Sequence, residues 1–211
     1  MKELLFATAN PHKIEEASGI LGPEFKLISP ASIGISDDVP ETGNSLRANS
    51  LQKARYIWEH SGGRDCFADD TGLEVDILGG APGVFTARYA GEPANPQANM
   101  EKLLEEMKRR EYGASAARRF GIDTPMASRR ARFRTCVTLI LNDKPYFFDG
   151  ILEGQIARSQ SGARGFGYDP VFIPDDYPDR TLAQLSPEQK NAISHRGKAL
   201  REMAAFLKKN L

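Results

Sequence analysis

A short apolar run that stops abruptly at two neighbouring acids constrains this chain more than any other stretch. Cys66-Phe67-Ala68 is followed at once by Asp69-Asp70-Thr71-Gly72. The apolar run reads as a buried strand, and the C-terminal ends of strands are where open α/β sheets place their ligands. Adjacent carboxylates repel, so something must compensate them unless both are solvated. A divalent cation with oxygen ligands, Mg2+ first among them, would do so. The plainer reading is a polar turn capped by the Asp69 side chain. Both readings stand on these residues alone.

The segments that precede the acids alternate strand and helix. Residues 3–8 read as a buried strand. Asn10 is a good N-cap and Pro11 suits the first position of a helix through Ile14, Ala17 and Leu21, which stops at Gly22-Pro23. A strand, a tight turn and a helix N-terminus, with Thr8, Asn10 and Lys13 nearby, make a candidate phosphate seat, since free amides, the helix dipole and an ammonium all attract an anion. The glycines of a Walker loop are missing. Phe25–Ile28 suggests a second strand. A polar loop over 34–44 carries Asp37, Asp38 and Glu41-Thr42-Gly43. It leads to a helix over 45–60 with Leu46, Leu51, Ala54, Ile57 and Trp58 inward and Asn49 and Lys53 at polar positions.

Beyond the acids, residues 73–77 alternate like a separate strand, Gly79–Gly83 reads as a turning loop, and Asn95-Pro96 starts a helix striped with Met100, Leu103, Leu104 and Met107. Residues 108–134 hold Arg109, Arg110, Arg118, Arg119, Arg129, Arg130, Arg132 and Arg134, diluted by Gly, Ala and Ser. That pattern predicts a solvated, mobile excursion. Residues 131–141 alternate, Asn142-Asp143 turns the chain into Tyr146-Phe147-Phe148, and 151–157 suggests a further strand. Such a meander makes the sheet mixed. Ser161–Asp169 is a glycine-rich loop with Phe166 and Tyr168 as rings to stack on a flat ligand or to anchor a turn. Ser186-Pro187-Glu188-Gln189 is a capping box, with Lys190 after it. Ser194-His195-Arg196-Gly197 opens a last helix packed through Leu200, Met203, Phe206 and Leu207. Cations are misplaced at a helix N-terminus, so His195 and Arg196 call for an anionic or carbonyl partner.

The balance of charge narrows the partners. Lys plus Arg and Asp plus Glu each total 28 of 211 residues, which removes any global pull toward nucleic acid or an anionic membrane. A 40% hydrophobic, 27% charged composition is globular, and no apolar run approaches a membrane span. The first residues enter a strand without the pattern of a signal peptide, and the two cysteines, Cys66 and Cys136, lie in apolar runs. These features predict packed thiols in a reducing cytoplasm.

The order of Thr8-Ala9-Asn10 with Lys13, Glu41-Thr42-Gly43, Asn49 with Lys53, Ala68–Leu73, Gly83–Gly91, Gly165–Pro170, Lys190 and Ile193–Arg196 resembles the inosine triphosphate pyrophosphatase family nearly end to end. The resemblance implies an α/β fold over 1–211, with a long twisted mixed β-sheet, flanking helices and two lobes around a central substrate cleft. It implies a homodimer that uses Mg2+ to convert ITP, dITP or XTP to the monophosphate and pyrophosphate, without nucleic-acid or membrane partners. Carried over by position, Thr8, Ala9, Asn10, Pro11, His12, Lys13 and Lys53 would hold the triphosphate, helped by Lys190. Glu41 and Asp70 would bind Mg2+, Asp70 would accept the proton, and Thr71 would touch substrate. Phe166, Gly167, Tyr168 and Asp169, with His195 and Arg196, would enclose the base. Ala9, Ala48 and Arg164 depart from residues common at those positions. Two alternatives remain in view. One is another Mg2+-dependent phosphohydrolase, such as a phosphomonoesterase of the aspartyl-phosphate type, although its acids are expected with one residue between them and here they are adjacent. The other is a nucleic-acid-binding module using the arginines of 108–134.

Overall fold

In a computed structural model, residues 2–35, 39, 41–120 and 128–210 are described, with only the backbone described for His12. Asp37, Asp38 and residues 121–127 of the arginine-rich segment lie outside them. The strands are β1 (Lys2–Phe6), β2 (Phe25–Ile28), β3 (Cys66–Val75), β4 (Pro82–Gly83), β5 (Arg130–Leu141), β6 (Lys144–Ile156) and β7 (Phe172–Pro174). The helices are α1 (Pro11–Leu21), α2 (Leu46–His60), α3 (Pro96–Arg119), α4 (Pro187–Ile193) and α5 (His195–Asn210). The sheet runs β2-β1-β3-β5-β6-β7 with β4 on β3. β1 is parallel to β2 and β3, whereas β3–β4 and β6–β7 are antiparallel, so the sheet is mixed as expected. The chain divides into two compact units.

The first unit comprises Met1–Thr71, Arg134–Ile151 and Asn191–Leu211. Its part of the sheet is covered on both faces. Leu4, Phe6, Phe67, Val137, Leu139 and Leu141 pack against Ala17 and Leu21 of α1 and Ala199, Leu200, Met203 and Leu207 of α5. On the opposite face Leu5, Cys66, Ala68 and Ile140 pack against Ala54 and Ile57 of α2. Strand alternation therefore fixes the face of every residue in the first half of β3. Burial of Cys66 pushes its thiol up to about 12, so it is a packed neutral group. Asn142 and Asp143 both have positive φ, the backbone a two-residue hairpin between β5 and β6 requires. Gly150 in β6 lies hard against the start of α5, where an added Cβ would come 1.9 Å from the His195 carbonyl oxygen.

The second unit comprises Gly72–Phe133 and Leu152–Lys190. Its helix α3 buries Asn99, Met100, Leu103 and Met107. Asn99 accepts from the Ala90 amide and donates to the Ala87 carbonyl, tying α3 to the loop before it.

Several sequence expectations change here. Residues 66–75 form one strand rather than a strand, a turn and another strand, because β4 pairs with its far half at Leu73 and Glu74. Tyr146 and Ile151 likewise share the single strand β6. The arginine-rich segment is not an excursion over its described residues: 108–119 continue α3 and 130–134 begin β5. Arg129 binds Glu111 and the carbonyls of Ile156 and Ala157, while Arg130 and Arg132 meet Asp175, Glu153, Glu74 and Asp76. Among the described residues no helix is long and apolar enough to cross a membrane.

The contact at Gly150 yields a direct test. Because the atoms in the way are backbone, Gly150→Ala should cost about 1–3 kcal/mol of overpacking. Urea unfolding of the variant alongside the wild type measures it, and equal midpoints would show that α5 yields freely.

Candidate active site

Asp69 and Asp70 lie in mid-strand, just beyond the stretch of β3 that pairs with β1 at Cys66 and Phe67. Successive residues of a strand face opposite ways, so the two carboxylates are not competing for one space. Asp69 shares the face of Phe67, toward α1 and α5. There it accepts from Lys13 Nζ of α1 at 2.9 Å and from Arg196 Nε of α5 at 2.8 Å. Asp70 shares the face of Ala68, toward α2. There it accepts from Asn49 Nδ2 at 3.2 Å and Lys53 Nζ at 3.2 Å, both of α2. The repulsion inferred from the sequence is thus relieved by geometry and by protein cations.

The two acids sit in opposite electrostatic states. Burial alone would raise the Asp69 carboxyl, but Lys13, Arg196 and Lys53 outweigh it and hold the group well below the usual carboxylate range. For Asp70 burial wins: with repulsion from Glu41 added, it raises the carboxyl despite Lys53 and the Asn49 hydrogen bond. Lys53 Nζ donates also to Glu41 Oε1 at 2.8 Å, so one ammonium stands between Glu41 and Asp70. Burial works against the charge of Lys53, but Asp70, Asp69 and Glu41 overcome it and raise its pKa. Two carboxylates turned toward one cation are a hard-oxygen donor pair of the kind Mg2+ takes alongside phosphate oxygens. Among the described residues no group of three or more His, Cys, Asp or Glu could hold a metal by itself.

Two supporting residues, Glu16 and Thr135, escape motif reading. Glu16 accepts from Arg196 Nη1 and from the Ser194 hydroxyl, so Arg196 is sandwiched between Glu16 and Asp69 and is 6% exposed. These carboxylates are the anionic partners that a cation at the start of α5 requires. Ser194 also accepts from the Gly197 amide and so caps α5. Asn49, which the resemblance picks out with Lys53, is fully buried and accepts from the Gly43 amide while donating to Asp70. It joins the Glu41-Thr42-Gly43 loop to the strand. The signal available was helical spacing: Glu16 lies one turn after Lys13, and Lys53 one turn after Asn49. Thr8 accepts from the Asn10 amide at 3.1 Å in the turn before α1, which Ala9 spans and Pro11 opens. The His12 side chain lies outside the described residues. Thr71 returns to the α5 face, and its hydroxyl meets that of Thr135, which meets His195 Nδ1.

In the second unit the loop Gly165–Asp169 folds around its own aspartate. Asp169 accepts from the Phe166 amide and from Lys190, and a Cβ on Gly165 (φ +80°) would meet its carboxylate at 2.1 Å. Tyr168 is an anchor rather than a free ring: it is buried, and its hydroxyl donates to the Thr86 carbonyl. Phe166, flanked by Gly165 and Gly167, is 55% exposed with the Lys190 ammonium 4.5 Å from its ring centre.

The comparisons with known proteins agree with one another. A family model described as the Ham1 family matches residues 4–206. A dITP/XTP pyrophosphatase of Flavobacterium psychrophilum is 44% identical over 98% of this chain and 99% of its own length. One of Bacillus subtilis is 40% identical over 98% of each chain. A HAM1 protein of Coxiella burnetii has the same fold with a TM-score of 0.86 and 35% identity, covering 99% of this chain and 100% of that one.

The opposite states of the two acids predict opposite mutants. Asp69, held low, contributes stability that is complete above the ordinary carboxylate range and is lost as pH falls through its depressed pKa. Asp70, held high, costs stability wherever it is ionised in the fold. Asp69→Asn should therefore lose about 3 kcal/mol or more at neutral pH by leaving Arg196 and Lys13 under-neutralised. Asp70→Asn should be more stable than wild type at neutral pH, the gain shrinking on acidification. Urea titrations at both pH values test the pair, and losses of equal size would contradict the split.

Proposed function

The chain belongs to the Ham1 family, and from that premise we propose that it hydrolyses non-canonical purine nucleoside triphosphates (ITP, dITP and XTP) to the monophosphate and pyrophosphate. The observation that carries the reading is the divided acid pair. It leaves Asp70 and Glu41 facing one cation position while Lys13 and Lys53 stand beside the carboxylates. Polyphosphate cleavage asks for positioned positive charge and a proton acceptor rather than a covalent nucleophile.

In this reading Glu41 and Asp70 hold Mg2+, which supplies charge neutralisation to the phosphate oxygens when bound. Lys13 and Lys53 bind phosphate oxygens, and the turn Thr8–Lys13 offers them the amides at the start of α1. Lys190 adds a further ammonium. Asp70 orients a water molecule and takes its proton as the oxygen attacks the α-phosphorus; the α–β bridging P–O bond breaks and pyrophosphate leaves. Asp69 stays ionised and holds Lys13 and Arg196 in place. Thr71 contacts substrate. Phe166 provides the stacking ring, on a loop that Gly167, Tyr168 and Asp169 keep in shape. His195 and Arg196 give donors suited to a 6-oxo purine and opposed to a 6-amino one. The protein acts in the cytoplasm as a homodimer, the latter checked by light scattering.

Three measurements test this. Purified protein with ITP or XTP and Mg2+ should release pyrophosphate; orthophosphate as the primary product would favour a phosphomonoesterase instead. Asp70→Asn should lower kcat by about a hundredfold or more while nucleotide still binds, as loss of a proton acceptor does. Phe166→Ala, at an exposed position, should raise KM without changing the melting temperature, and an unaltered KM would remove Phe166 from the site.

A further inference from the structure

We propose that Thr135 is a positioning residue that sets the tautomer of His195 and, through it, the preference for 6-oxo over 6-amino purines; this rests on the function proposed above. Thr135 Oγ1 lies 2.7 Å from Thr71 Oγ1 and 2.6 Å from His195 Nδ1, and Thr135 has no exposed surface. Thr135 has one proton to donate, and when it is given within this trio the three groups run head to tail with one of two polarities. In one, Thr71 donates to Thr135 and Thr135 donates to His195 Nδ1, which leaves the imidazole proton on Nε2 as a donor. In the other, Nδ1–H donates to Thr135, Thr135 donates to Thr71, and Nε2 of the singly protonated ring is an acceptor. A 6-oxo purine needs a donor and a 6-amino purine an acceptor. The first polarity therefore matches the proposed substrates, because the partner of one ring nitrogen decides what the other does.

The ring is also held in position from behind. Gly150 seats the first turn of α5, with no room for a Cβ beside the His195 carbonyl. Alternation along β5 puts Thr135 on the same face as Val137 and Leu139, which pack against α5. Thr71, two residues beyond Asp69, shares that face, so the chain of hydroxyls links strand β3 to the start of α5 through β5.

The test uses the full-length protein with Mg2+ and compares kcat/KM for ITP and ATP. Thr135→Val keeps the shape and removes the hydroxyl, and it should narrow the ITP-over-ATP ratio by about tenfold or more. Thr135→Ser restores the hydroxyl and should hold the ratio within about threefold of wild type. A folded valine variant that slows both substrates equally, leaving the ratio intact, would overturn the proposal. Failure of the wild type to release pyrophosphate from ITP would instead overturn the function on which it rests. A second measurement needs no variant at position 135 and no substrate. Nitrogen-15 spectra of the three histidines, assigned with His12→Gln and His60→Gln, should show His195 protonated at Nε2 and bare at Nδ1. A proton on Nδ1 would refute the assignment even if the valine variant does not fold.

Discussion

Two carboxylates joined by a single peptide bond can be buried in one strand because a strand turns successive side chains to opposite faces. The acid site depends on this. Asp69 and Asp70 are each almost fully buried, yet each faces a different layer of the unit and meets a different set of cations. A shift of one residue in the register of β3 would exchange their partners and send Phe67 into the layer of α2. The packing of Phe6, Phe67, Val137 and Leu139 against α1 and α5 is therefore also what aims the acids.

The consequences spread along the helices. On the α1–α5 side, Lys13, Glu16, Asp69 and Arg196 make an alternating run of charges in which each group has an opposite neighbour. Removing one of these buried ions would leave another uncompensated. The α2 side is arranged differently. Glu41 and Asp70 share one lysine, and Asp70 is pushed toward its protonated form. Asp69 thus sits among cations, and Asp70 sits beside a second carboxylate. That asymmetry gives adjacent, chemically identical residues different surroundings.

The loop around Phe166 follows the same economy at smaller scale. Asp169 gathers the Phe166 amide and Lys190, and Tyr168 fastens the loop through Thr86, whose hydroxyl in turn takes the Leu73 amide. One ring is committed to the fold and one remains exposed. In the sequence the two rings look alike, since both lie among glycines.

Much was legible without coordinates. Apolar periodicity located α1, α2 and α5, the residues Asn95 and Ser186 marked real helix starts, and Asn142-Asp143 announced the hairpin. These are local properties, decided by residues within a turn of one another. The mixed sheet followed from the same local signals. What the sequence could not contain was the face of each acid and the identity of its partners. Asp69 reaches Arg196 across more than half the chain, and Glu16 enters only because α1 and α5 pack side by side on one layer. The continuity of β3 through Asp69-Asp70-Thr71 was hidden for the same reason. Polar residues in a strand read as a turn until tertiary packing brings lysine, arginine and asparagine to satisfy them.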